Sequence, residues 1–209
     1  MDLKNLLNQA LNSDMLRQGK QQIKQNSGSL STLGAGAVGG GLIGLLMGSK
    51  KSKKMGKTAL KVGGAAALGA LAYKVYNDWQ KQQPGPDQEE IFDANDNHHN
   101  ELIIKSMIAA AKADGHVDEQ EMARIEETLK GLGADPSARQ LIQAELNKPL
   151  DPTDIATLAT SPQQASEIYL ASLIVADEQN FMEKAYLAEL AKQLRLEPDV
   201  IAQLEQQIR

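Results

Sequence analysis

The sequence predicts an all-α protein in which a Gly-rich membrane helix precedes a bundle of about seven short helices. Three observations lead there. Apolar residues recur at three- and four-residue spacing, with no sustained alternation of the kind a strand needs. Asp or Ser stands directly before Pro at Asp135–Pro136, Asp151–Pro152 and Ser161–Pro162, which is how helices start. Aromatic residues make up only 3% of the chain, so helix packing must rest on Ala, Leu and Ile.

The 209 residues divide unevenly. Residues 1–81 hold 12 Lys and Arg against 3 Asp and Glu, while residues 82–209 hold 10 against 24, so a net −5 conceals a basic half and an acidic half. The basic half suits anionic lipid headgroups; the acidic half would be repelled by lipid and nucleic acid alike, and no nucleic-acid partner is expected. No cysteine is present, which removes disulfides, thiolate metal sites and cysteine nucleophiles.

Residues 1–25 read as an amphipathic helix, with Leu3, Leu7, Ala10 and Leu11 on one stripe. Such a helix either packs on the rest of the protein or lies on a membrane surface. Residues 26–79 form a Gly/Ala-rich anchor region with a basic turn. Asn26 to Ser49 carries no charge, and as a helix it reaches about 36 Å, enough for a hydrocarbon core of about 30 Å. Gly36, Gly40, Gly44 and Gly48 fall on one face at every fourth position. In water each would cost a helix roughly 1 kcal/mol; in lipid they let a second helix approach closely, so self-association through this face is expected.

Six Lys follow in residues 50–61, and they place that end of the span in the cytoplasm, together with the C-terminal domain if the chain crosses once. A second apolar segment, Val62 to Tyr73, provides only about 18 Å of helix, short for a span. One full span is the reading, with the second segment packed against it or lying in the interface. A two-span hairpin, with Tyr73, Tyr76 and Trp79 as an interfacial belt, would instead move the domain across the membrane.

Residues 80–97 read as a flexible acidic linker broken by Pro84, Gly85 and Pro86. His98 and His99 close it, and adjacent histidines in a polar stretch read as solvated. Residues 98–209 form the all-α domain. It contains a weak repeat: IAAAKADGHVDEQEMARIEETLKGLG and ASLIVADEQNFMEKAYLAELAKQLRL each run an apolar helix into Ala-Asp, an acidic turn and a second helix. Asp118 and Glu121 fit a capping box, and Asp114–Gly115 a helix stop. Glu167 reads as an acidic residue remote from these turns.

The Gly-rich, basic-flanked N-terminal third, the segment AKADGHVDEQE from Ala111, the KPLDP run from Lys148 and FME from Phe181 together resemble the YebE family of proteobacterial inner-membrane proteins. The C-terminal half is similar to the TerB-like helical domain of tellurite-resistance proteins. The resemblance implies a bacterial inner-membrane location, an α-helical bundle, a setting in envelope stress and no enzyme activity. It also implies that the acidic turns take a divalent cation, with Asp114, Asp118, Glu121, Asp177 and Glu183 as ligands. Five carboxylates with carbonyls and water are enough for a hard cation. Against this, the second copy has Glu178 where the first has Gly115, and neither copy has EF-hand spacing.

The expected function is that of a membrane-anchored, non-catalytic interaction protein with an unidentified protein partner; the alternative is a divalent-cation sensor or buffer. The chain has three His, no Cys and no Ser-His-Asp, phosphate-loop or zincin pattern, so catalysis is not expected.

Overall fold

The computed structural model describes residues 2–11, 65–84, 90–113, 115, 117, 119–131, 133–176 and 180–208. Among them are nine helices and no strand: α1 (Leu3–Leu11), α2 (Ala65–Gln80), α3 (Asn97–Ala111), α4 (Glu119–Gly131), α5 (Pro136–Asn147), α6 (Pro152–Ala156), α7 (Pro162–Val175), α8 (Phe181–Gln193) and α9 (Pro198–Gln206). The expected start signals operate as caps. Asp135 accepts from Ala138 N at 2.8 Å, Asp151 from Thr153 N at 2.8 Å, and Ser161 from Gln164 N at 3.3 Å. Each is followed by a proline whose missing N–H costs nothing in a first turn. Helix α4 is closed off by Gly133, two residues past its last residue, whose φ of +70° is open to glycine without strain. The bonds Gly133 N to Lys130 O and Ala134 N to Leu129 O close the Schellman pattern there.

The centre of the fold is α7, buried without interruption from Gln163 to Ile174. Its most extensive neighbour is α3, and next comes α2; α6, α8 and α9 also touch it. The apolar helices of the two repeat copies are therefore packed against each other as α3 and α7. Small residues allow the approach. Ser172 Oγ donates to Ser106 O at 3.3 Å across the contact and to Ile168 O at 2.9 Å within its own helix, while Ser106 Oγ donates to Leu102 O at 2.6 Å. Ile125 and Leu129 of α4, Ile142 of α5, Ile155 of α6, Leu190 of α8 and Leu204 of α9 complete the core.

Two sequence expectations, those for residues 65–79 and 90–96, meet a different outcome. Residues 65–79, expected in the anchor region, form most of α2, which buries Leu68, Ala72 and Val75 in the same core. These positions are spaced to share one helix face, which lies against α7. Tyr73 is buried and Tyr76 and Trp79 pack partly buried on the core, so they do not make an exposed belt. Residues 90–96, expected within the linker, are held by Asn77 Nδ2 donating to Glu90 O at 2.9 Å and Lys4 Nζ donating to Ala94 O at 3.3 Å. Between the two readings of the first helix, the structure takes packing: Leu6 and Leu7 of α1 are buried, and α1 lies on α3 and α2. No helix among the described residues is long and apolar enough to cross a membrane. The expected span at residues 26–49, with Gly36, Gly40, Gly44 and Gly48, lies outside the described residues.

Because α2 shares the core, Leu68→Ala should lower the stability of the full chain by about 2–5 kcal/mol, as buried leucine truncations do. Denaturant unfolding followed by helical signal measures this. An unchanged midpoint would mean that α2 is not part of the bundle's cooperative unit.

Candidate functional site

Two buried ionisable centres stand out, and neither is the acidic-turn set. The first lies where α2, the 90–96 segment, α3 and α7 meet. Glu167 of α7 is 0% exposed and His99 of α3 is 6% exposed. His99 Nδ1 lies 2.7 Å from Glu167 Oε2. Glu167 Oε1 has no hydrogen-bonding partner among the described residues. Around the imidazole stand two aromatic rings: Phe92 with its centroid at 4.4 Å, and Tyr73 edge-on at 5.5 Å. Gly69 of α2 makes the closure possible, since a Cβ there would fall within 2.6 Å of Phe92 Cζ and 2.7 Å of Glu167 Oε1. A polar seam continues along the α2–α7 contact, where Gln163 Nε2 donates to Asn77 Oδ1 at 2.9 Å.

Burial opposes charge on both partners, and the pair's own contact decides the outcome. Burial lowers the affinity of His99 for a proton, but the hydrogen bond and charge of Glu167 outweigh it, leaving His99 above its ordinary 6.5. Burial raises Glu167 above 4.5 and the bond to His99 only partly offsets this. The folded pair therefore keeps its titrating proton to higher pH than the free groups would, and the neutral imidazole left after its loss retains one N–H. Such a pair can hold or release a proton; enclosed as it is, it presents no open face to a substrate.

The second centre is Lys112, 6% exposed at the end of α3. Its Nζ donates to Glu145 O at 2.9 Å and also to Lys148 O. A cation thus sits on the carbonyl end of α5, where the helix dipole favours it, although burial still depresses the lysine pKa. Lys148 Nζ in turn pairs with Glu145 Oε1 at 2.7 Å. Two motifs noted in the sequence, the one around Lys112 and the one beginning at Lys148, are thereby joined by a structural clamp. The adjoining cavity, about 40 Å³ and lined by Lys105, Ile108, Lys112, Asp151 and Ile155, holds a few waters at most.

Of the cation ligands implied by resemblance, Asp114, Asp118 and Asp177 and the side chain of Glu121 lie outside the described residues. Glu183 is described and buried, in the first turn of α8. Asn180 caps that helix, its Oδ1 accepting from Met182 N at 2.9 Å and Glu183 N at 3.4 Å, so a carboxylate at Glu183 faces the favourable end of the helix dipole. Among the described residues, no three His, Asp or Glu are grouped to hold a metal ion. One sequence expectation is corrected: His98 is exposed, as a solvated histidine would be, but His99 is buried and paired. Glu167, read only as an acidic residue remote from the acidic turns, is the most deeply enclosed carboxylate in the core. Its signal was present in the sequence, as the one charged residue in a helix otherwise composed of apolar and small polar residues.

These features define an all-helical protein organised around a fully buried helix with one compensated charge. Residues 32–208 match the family described as "Protein of unknown function (DUF533)", and the chain belongs to that family. A protein from Yersinia enterocolitica, described as "Uncharacterized protein in ampR 5'region", is 34% identical over 107 residues, which is 51% of this chain and 77% of that protein. No solved structure matches.

Gly69 and Gly131 give a matched test of the site's packing. Gly69→Ala should destabilise by about 1–3 kcal/mol through overpacking. Gly131→Ala, with nothing within 4 Å of the added carbon, should be neutral or gain up to about 1 kcal/mol. Equal melting temperatures for the two variants would show that α2 does not close on Glu167 this tightly.

Proposed function

We propose that this protein is a membrane-anchored, non-catalytic interaction protein. Residues 26–49 cross the bacterial inner membrane and self-associate through Gly36, Gly40, Gly44 and Gly48. The helical domain stands on the cytoplasmic side and binds another protein, in the envelope-stress setting that the YebE resemblance suggests. The TerB-like assignment of the bundle belongs to the same reading, and the packing of the two repeat copies through α3 and α7 supports it.

The observation that carries the proposal is at the start of α8. Phe181 is 80% exposed and Met182 56% exposed, adjacent in sequence, while the other large apolar side chains of α8 are buried. Leaving two large hydrophobic residues in water at one helix end forgoes roughly 1.5–3 kcal/mol for each side chain that could be buried. A partner that covers them recovers this, and aromatic and methionine side chains are enriched in such contacts. Both belong to the FME segment that contributes to the family resemblance.

Substituting Phe181→Ser with Met182→Ser should leave the melting temperature within the range of surface changes, about 0.5 kcal/mol or less. The same double variant should remain in the membrane pellet after carbonate washing and lose the proteins that co-purify with the wild-type chain from membranes. Unchanged co-purification would contradict the contact surface, and release of the wild-type chain by carbonate would contradict the anchor.

A further inference from the structure

We propose that the His99–Glu167 contact is a proton-sensitive latch, which holds α2 and the 90–96 segment against α3 and α7 while the pair carries a proton and lets them go when the proton leaves. Four elements meet there, each with one essential residue: Gly69 on α2, Phe92 on the 90–96 segment, His99 on α3 and Glu167 on α7. With one proton the pair is neutral overall, either as imidazolium and carboxylate or as imidazole and carboxylic acid. Without it, a carboxylate with 0% exposure has only a neutral ring beside it, and its second oxygen faces Gly69 with no donor.

Among the described residues no replacement cation bonds to the pair, since Lys4 of α1 reaches the 90–96 segment only at Ala94 O. Tyr73 faces the pair from α2, and Glu90 and Asp96 face it from the 90–96 segment. From α3, His98 acts on Glu167 only at a distance, from an exposed position. On α7 the ionisable groups are Glu167 itself and Tyr169, whose hydroxyl is directed to Glu205 Oε1 at 3.4 Å. The least costly way to return water to a bare carboxylate is to lift what covers it with fewest bonds. The cover with fewest bonds is the non-helical 90–96 segment, mostly exposed and tied through Glu90 O to Asn77 and through Ala94 O to Lys4; the α2 face at Gly69 lies beside it, and α2 packs on α7 almost as extensively as α3 does.

The direction of the pH effect follows from where the proton is held. Both groups bind it more tightly in the folded chain than their ordinary values of 6.5 and 4.5 allow. Stability from the pair is therefore complete below those values and drains away as pH rises through the raised, folded ones.

The chain provides its own probe, because its one tryptophan, Trp79, lies on α2, partly buried, with its ring 5.5 Å from Tyr76. The experiment records Trp79 emission and far-ultraviolet circular dichroism of the full-length protein from about pH 5 to about pH 9. The latch predicts a reversible shift of emission to longer wavelength as pH rises, with helical signal retained. Glu167→Gln, which removes the buried charge and keeps its shape, should hold Trp79 at the low-pH wavelength throughout. His99→Gln, which removes the cation, should move the transition to lower pH. The proposal is overturned if wild-type emission does not change, if Glu167→Gln retains the wild-type transition, or if helical signal falls in step with emission. Should Glu167→Gln fail to fold, a His99→Gln transition at the wild-type pH overturns it equally.

Discussion

A helix buried on every side is the constraint on which the rest of this structure depends. From Gln163 to Ile174, α7 has no solvent face, so each surface it presents must be covered by another helix. α3 and α2 cover most of it, and α6, α8 and α9 take what remains. This explains why an element as far upstream as α2 belongs to the same core, and why the chain from Glu90 to Asp96 is tied down instead of swinging free.

Complete burial also sets the polar chemistry. Every hydrophilic group on α7 must find a partner, because an unpaired buried group costs about 1–3 kcal/mol. The serines bond to carbonyls one turn back, Gln163 reaches Asn77, and Gln164 accepts from Thr160. Glu167 is the demanding case: His99 meets Oε2, while Oε1 has no hydrogen-bonding partner among the described residues. Lys112, another buried charge, is met in a different way, by backbone carbonyls at a helix end. Carbonyls can satisfy an ammonium group at any ordinary pH, whereas the compensation of Glu167 depends on a titrating ring. Glu167 and Lys112 thus differ in kind: Lys112 is held by acceptors that do not titrate, while the partner of Glu167 responds to protons.

Much of the architecture was legible in the residues. Asp135, Asp151 and Ser161 before their prolines mark three helix starts correctly, because capping is local chemistry. The role of α2 was not legible, since an Ala- and Gly-rich helix reads alike whether lipid or a protein core surrounds it. The His99–Glu167 contact joins residues 68 positions apart, and periodicity shows which face a residue takes but not what it will meet. Even so, two marks were there to be read: a single charge in a helix otherwise free of charge, and a glycine in the middle of α2 that only close packing would justify.

The functional reading rests on the same economy. Among the described residues this core leaves three large apolar side chains exposed, Ile91, Phe181 and Met182, and only the last two are adjacent. The central physical claim, that His99 compensates the buried charge of Glu167, is tested most directly by a double-mutant cycle in the full chain. Unfolding free energies of wild type, His99→Gln, Glu167→Gln and the double variant would be compared at about pH 5. A coupling of roughly 1–3 kcal/mol is the expected result for a direct buried pair, whereas additivity within about 0.5 kcal/mol would contradict the account.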